Sequence, residues 1–319
     1  MNQPIPRTRI YDLYWYFAAE RLAIFDRRAT GEIGPWTDDP ILNAYKFCNV
    51  FRASDRVSQY LIRKVAYDES NPQPAEVIFR IVAFRMFSRI ETWDGLIGIL
   101  GRQPKIEDLT NGTFEAAIDK IREEQGKLYT GAFILCANQA YGYQKKHLNH
   151  IALFRHMFVH DGLAEKLLGA SSLEDVYNML HAYPLMGDFM SYQIAIDLNY
   201  SAYINFSEND FTKAGPGAMR GIKKVFESNG GMTPEQLILW MVARQDSEFA
   251  RLGMAFEGLR GRKLQAIDVQ GLFCEVDKYC REAAPDLVSA RVQIKAKFEQ
   301  TLQPIEYFYP PKWGINGIL

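Results

Sequence analysis

The sequence has no run of eighteen apolar residues and no signal-peptide pattern at its start, which argues against a helical membrane span and for a cytoplasmic protein. Cysteine is scarce: Cys48, Cys136, Cys274 and Cys280 form no CxxC pair and no disulfide-framework spacing, so reduced thiols are expected. Net charge is −1, so the broad basic footprint of many nucleic-acid binders is missing and any DNA contact must use a local basic face. No GxxxxGK[ST] occurs, which argues against ATP chemistry on a P-loop, and neither GxSxG nor a Cys–His pairing stands out. Alternating runs of strand type, internal repeats and low-complexity segments are absent too. What remains is a 319-residue globular composition, 48% hydrophobic and 24% charged, patterned almost entirely for helices.

Periodicity predicts helices over 11–28, 41–47, 54–67, 76–100, 114–125, 147–160, 171–181, 189–198, 268–281 and 289–301. Thr233-Pro234-Glu235-Gln236 opens another, running to about Leu252. Three of these starts have explicit signals: Asp39 before Pro40, Ser171 to Glu174 at capping-box spacing, and Thr233 before Gln236. The tail from Pro304, rich in proline and aromatics, is expected to pack over the surface. One helical unit over residues 1–319 is expected, with two lobes as the variant and a boundary near 126–142.

The stretch Tyr183–Gly221 holds two tight glycine turns, each opening a helix. One is Tyr183-Pro184-Leu185-Met186-Gly187; the other is Gly215-Pro216-Gly217, followed by Arg220, Lys223 and Lys224. A helix start offers unpaired N–H groups and the positive end of the dipole, a seat for phosphate, and glycine lets the backbone come close. Both turns could equally be ordinary interhelical links. Asp210 stands between them and would face a sugar gripped there; the alternative is a carboxylate capping a short turn.

Elsewhere each candidate has a plain counterpart. His156 and His160 share a helix face, but the residues between them are apolar and no cysteine lies at ligand spacing, so core or surface histidines are expected and no metal. Arg52, Arg56 and Arg63 recur with Asn49, Gln59 and Tyr60, either as a phosphate- and base-reading face or as a solvated one paired with Asp55. Phe79, Phe84 and Phe87, interleaved with Arg80, Arg85 and Arg89, read as core before they read as a stacking platform. Asp268, Gln270, Glu275, Asp277 and Lys278 crowd one predicted helix around Phe273 and Cys274.

Five stretches in order, WTDDPI from Trp36, NVFRASDRVSQ from Asn49, IETW from Ile90, GPGAMRG from Gly215, and DVQ from Asp268 with CEVDKY from Cys274, resemble one phage and bacterial family across nearly the whole chain. It is the α-glutamyl/putrescinyl thymine pyrophosphorylase family, related to the helical domain of 5-hydroxymethyluracil DNA kinases. The resemblance implies an all-α fold similar to helix–hairpin–helix DNA glycosylases, and a partner in double-stranded DNA carrying C5-modified pyrimidines. Two activities are implied. The first is a monofunctional glycosylase that flips and excises a hypermodified pyrimidine such as glucosylated hydroxymethylcytosine. The second is a transferase joining an amine or amino acid to an activated hydroxymethyl-pyrimidine, with Asp38, Asp39, Glu275 or Asp277 lining the amine pocket.

The glycosylase hairpin pattern, Leu-Pro-Gly-hydrophobic-Gly, is met by Pro184, Met186 and Gly187, while Leu185 replaces its first glycine. Asp210 falls at the catalytic distance, and the hairpin carries no lysine for a covalent imine. The kinase relatives carry a P-loop domain that has no counterpart in these residues. The expected site is therefore Asp210 for catalysis, with Gly187, Gly215, Gly217, Arg220, Lys223, Arg52 and Arg56 on DNA. Trp36, Asp38, Asn49, Gln59, Gln270, Glu275, Asp277 and Lys278 would line the base pocket, with no cofactor.

Overall fold

The computed structural model describes residues 3–68, 73–131, 139–287, 293–294, 296–299 and 306–317. In chain order its helices begin with α1 (Thr8–Ala29), α2 (Pro40–Ala44), α3 (Arg56–Tyr60), α4 (Pro74–Phe87), α5 (Ile90–Leu100), α6 (Glu107–Thr110) and α7 (Thr113–Gln125). They continue with α8 (Lys146–Phe154), α9 (Leu163–Leu168), α10 (Leu173–His181), α11 (Asp188–Tyr200), α12 (Pro216–Val225), α13 (Pro234–Arg251) and α14 (Ala266–Ala283). Both α3 and α8 run on into a wider π turn, at Leu61–Ala66 and Arg155–His160. The fold is all-α. Among the described residues the sheet is a two-stranded antiparallel ribbon, β1 (Ile5–Pro6) against β2 (Phe226–Ser228). No described helix is long and apolar enough to cross a membrane.

Local chemistry explains most helix starts. The Asp39 carboxylate accepts the N–H groups of Ile41 and Leu42 ahead of Pro40, and Thr233 and Gln236 close a full capping box. At α10 the cap lies one residue later than the spacing suggested: Ser172, rather than Ser171, accepts the Asp175 N–H. The single helix expected over 76–100 is broken at Ser88. There a left-handed φ of 49° and bonds to the Phe84 and Arg85 carbonyls cap α4. Apolar periodicity continues across the break, so the pattern could not show it.

The last expected helix is also corrected. Of residues 289–301, those described are not helical: Lys297 bridges Tyr45 in antiparallel fashion, and the Lys46 N–H donates to the Ala296 carbonyl. The others lie outside the described residues. Backbone bonds made to a distant segment carry no local period.

Contacts divide the chain into two compact units. The first is Met1–Asp55, Phe211–Tyr307 and Ile315–Leu319; the second is Arg56–Asp210 and Phe308–Gly314. Residues 126–142 fall inside the second unit, and 132–138 are outside the described residues.

In the first unit α1 and α14 form the centre. Tyr14 of α1 is fully buried, donates to the Val269 carbonyl at 3.1 Å and packs its ring 4.8 Å from that of Phe273. In the second unit the centre is α4 and α11, each buried nearly all round, with polar residues such as Arg80, Gln193 and Asn199 buried among the apolar ones. Between the two helices lies an ion pair shut off from solvent, in which the Arg85 guanidinium grips both oxygens of Asp197. Phe79, Phe84 and Phe87 lie in this core and Arg80 and Arg85 are buried with them, whereas Arg89 is half-buried and donates to Gln125 and the Lys127 carbonyl. The C-terminal segment does more than cover a surface. Tyr309 is fully buried, and the Lys312 ammonium donates to the Asn199, Ser201 and Ile204 carbonyls at the end of α11.

Candidate functional site

Four of the five segments singled out in the sequence meet on one helix, α14. Its acids leave it on two faces. Asp268 and Glu275, seven residues apart, point with Tyr279 towards the 36–55 segment, while Asp277 points towards α12.

On the first face, Asp268 accepts the Arg52 N–H at 2.9 Å and the Gln265 N–H at 3.0 Å, so it both starts α14 and anchors the loop. Glu275 accepts the Cys48 N–H at 3.0 Å and the Lys278 ammonium at 2.7 Å; that ammonium lies 4.4 Å over the Phe47 ring. Asn49 is the hub of the loop. Its amide oxygen takes Arg21 at 2.7 Å, its amide nitrogen donates to the Ser54 carbonyl, and its backbone N–H donates to Asp55 at 2.9 Å. Burial pushes the Asp55 carboxyl up to about 6, against the pull of the Asn49 N–H and Arg21, with Glu275 adding to the rise. This polar knot therefore holds a carboxyl that can give or take a proton near neutral pH.

One turn further along α14, the Tyr279 hydroxyl donates to Asp39 at 2.5 Å, as does that of Tyr16 at 3.1 Å. Asp39 is thus fully engaged, by its own helix cap and by two phenols. Beside it opens a cleft of about 630 Å³ lined by Tyr16, Glu20, Arg27, Glu32, Trp36 and Asp38, among others. Four carboxylates (Glu20, Glu32, Asp38, Asp39) face one guanidinium there. Trp36 itself is buried, its indole N–H on the Glu32 carbonyl at 2.7 Å and Arg28 over its ring; Asp38 is exposed.

The second face of α14 explains the glycines of GPGAMRG. A Cβ on Gly217 would stand 2.6 Å from Cys274 Sγ, and one on Gly221 would stand 2.0 Å from the Phe273 carbonyl oxygen. Both residues are bare so that α12 can lie against α14. Close packing on Cys274 is by itself a reason for Gly217 to be glycine. Asp277, with no solvent access, gathers three cations: Arg220 at 3.2 Å, Arg281 at 3.0 Å and Lys224 at 3.2 Å, the last donating its bond to the Asp277 carbonyl. Burial opposes the charge on Asp277, yet Arg281, Lys224 and Arg220 outweigh it and hold the carboxyl below the ordinary aspartate range. Lys223 is exposed, Gly215 is the buried N-cap of α12, and Gln270 is buried with its amide nitrogen unbonded.

The other expected residues lie in the second unit. Gly187 caps α11 in an extended conformation, and Leu185 adopts φ +68°, the left-handed conformation a glycine takes without cost. Arg56 is exposed and pairs with Glu91 at 3.3 Å, and Gln59 accepts the Phe308 N–H at 2.8 Å. Asp210 is exposed on a bend, with its N–H on the Ser207 carbonyl. Arg21, Asp55 and Tyr279 were not among the expected site residues. Only the pairing of Asp55 with the arginine series hinted at it.

A family model described as "5-hmdU DNA kinase, helical domain" matches residues 8–289. A curated relative, the 5-hmdU DNA kinase of Bacillus phage SP10, is 29% identical over 287 residues, which cover 85% of this chain and 45% of that protein. The chain thus spans about half the length of the curated relative it matches. No solved structure matches it.

Proposed function

The chain belongs to the family of the 5-hmdU DNA kinase helical domain, and from that premise we propose that it is an enzyme acting on C5-modified pyrimidines in double-stranded DNA. The observation that carries this reading is the convergence on α14 of the polar knot, Arg21, Asn49, Asp55, Glu275 and Lys278, with the acidic cleft one helical turn away. The chemistry these groups suit best is transfer to the C5 substituent, the branch of the family named for thymine hypermodification. A C5–CH2–O bond activated by phosphorylation, as the relative's name supplies, breaks with the phosphate leaving, and a C–N bond forms to an incoming amine. The amine would sit as a cation among Glu20, Glu32 and Asp38 and lose its proton to a carboxylate such as Asp55. The base must be flipped out of the stack, at a cost of a few kcal/mol.

Base excision is the second reading, and a specific observation favours it. Leu185 holds the left-handed turn that the glycosylase hairpin gives to glycine, and the exposed Asp210 follows that hairpin. One experiment separates the two. Duplexes carrying 5-hydroxymethyluracil, its phosphorylated form or glucosylated hydroxymethylcytosine are incubated with the protein, with and without amines. Alkaline cleavage reads abasic sites, and nucleoside mass reads C5 additions. Mass gain dependent on an amine supports transfer, and abasic sites support excision. Neither product, with no preference for modified over plain DNA, would overturn the proposal.

A further inference from the structure

We propose that a basic cleft in the second unit, between the end of α7 and the start of α8, is a seat for the phosphodiester backbone of DNA; this rests on the reading that the protein works on DNA. The cleft, of about 460 Å³, is lined by Arg122, Lys127, Tyr129, Lys145, Lys146 and His147, among others. In a chain of net charge −1, four full cations gathered in one concavity mark the local basic face that the composition demands of a DNA binder. The carboxylate in direct contact with them is Asp119, which His147 meets at 2.9 Å and Lys145 at 3.9 Å. Arg122 and Lys127 have no ion pair among the described residues and are exposed, so their charge is available. Helix α8 adds its own positive end, since Lys145 at its N-cap offers no side-chain acceptor.

The aromatic group in the cleft decides which part of a nucleic acid it fits. Phe87 stacks on Tyr129 with centroids 5.3 Å apart, the Lys146 ammonium lies 4.5 Å over the same ring, and the hydroxyl is bonded to His150 at 2.9 Å. The ring is thus already engaged by Phe87 and Lys146. The cleft offers charge without a stacking platform, which suits phosphates and not bases. Recognition there is independent of sequence and of the C5 modification.

The test uses the full chain and an unmodified 30-base-pair duplex, with affinity measured across a salt series. For the variant Arg122→Gln/Lys127→Gln/Lys145→Gln, an affinity at least about tenfold weaker and a log–log salt slope shallower by about 2.7 are expected, because each of the three lost phosphate contacts removes about 0.9 from the slope. A control, Lys64→Gln/Lys105→Gln/Lys166→Gln, changes net charge equally but touches no residue of the cleft, and should stay near wild type. Equal losses in both variants would overturn the site, leaving net charge as the cause. A wild-type slope in the cleft variant would overturn it too, while the DNA reading stood. Failure of the wild type to bind any duplex would sink that reading and the cleft with it. Competition by millimolar inorganic phosphate or a mononucleotide at low duplex occupancy would assign the seat to a small anion instead.

Discussion

Asp55 shows how a residue that the sequence offers only as an ion-pair partner becomes a candidate acid. Burial raises its carboxyl to about 6, above the ~3.9 of an unfolded aspartate, so the folded state holds the proton more tightly. The stability this gives is complete below about pH 4 and is lost as pH rises through 6. Asp26, also raised to about 6 by burial and Glu257, adds in the same window. Asp55→Asn should therefore flatten the decline in urea midpoint between pH 4 and 6 without abolishing it. If Asp55 exchanges a proton in catalysis, the same variant should remove a rate limb near pH 6 and lower turnover on the order of 10²-fold. Asp210→Asn tests the competing chemistry. Under group transfer it should leave turnover within a few-fold of wild type, whereas a stabiliser of a sugar cation would cost about 10² to 10³. Loss of that size in Asp210→Asn, with Asp55→Asn active, would move the chemistry to excision.

At the scale of elements, the closest seam in the first unit is α12 on α14. Gly221→Ala drives a Cβ into a backbone carbonyl, which cannot move aside, whereas Gly217→Ala meets the end of the Cys274 side chain. The first should cost about 3 kcal/mol or more and the second about 1–3 kcal/mol, by urea unfolding. Gly217→Ala/Cys274→Ala should recover most of the second loss; equal costs for the two single changes would mean the seam is looser than described. The same seam positions Arg220 beside Asp277, with Lys223 on the exposed side. Arg220→Ala/Lys223→Ala should weaken DNA binding at all sequences and lessen its salt slope. An unchanged slope would leave α12 a purely structural helix.

For the whole molecule, each unit carries a helix that buries a charge: α14 with Asp277 among three cations, and α11 with Asp197 on Arg85. Such buried charge adds little net stability while paired and much cost when broken. Asp197→Asn leaves the Arg85 guanidinium uncompensated in a dry core and should lower unfolding stability by about 3–5 kcal/mol. Asp197→Leu/Arg85→Met, which removes both charges, should recover much of that. A single variant within about 1 kcal/mol of wild type would show that water reaches the pair.

The sequence by itself determined the helical class, the caps at Asp39 and Thr233 and the core role of the Phe79–Phe87 series, because these follow from neighbours three or four residues apart. It also singled out Asn49, Glu275 and Asp277, which the fold brings together at α14. Only the tertiary structure decided what those residues are. Gly217 reads as part of a phosphate turn, and only the fold shows it lying with Gly221 against α14; Asp277 reads as a pocket acid, and only the fold shows the three cations that enclose it. Asp55 reads as a partner of a solvated arginine face, and only the fold shows Asn49 tying it to Arg21. A carboxylate's protonation and a glycine's purpose depend on groups brought near from tens or hundreds of residues away, and local periodicity holds no record of them.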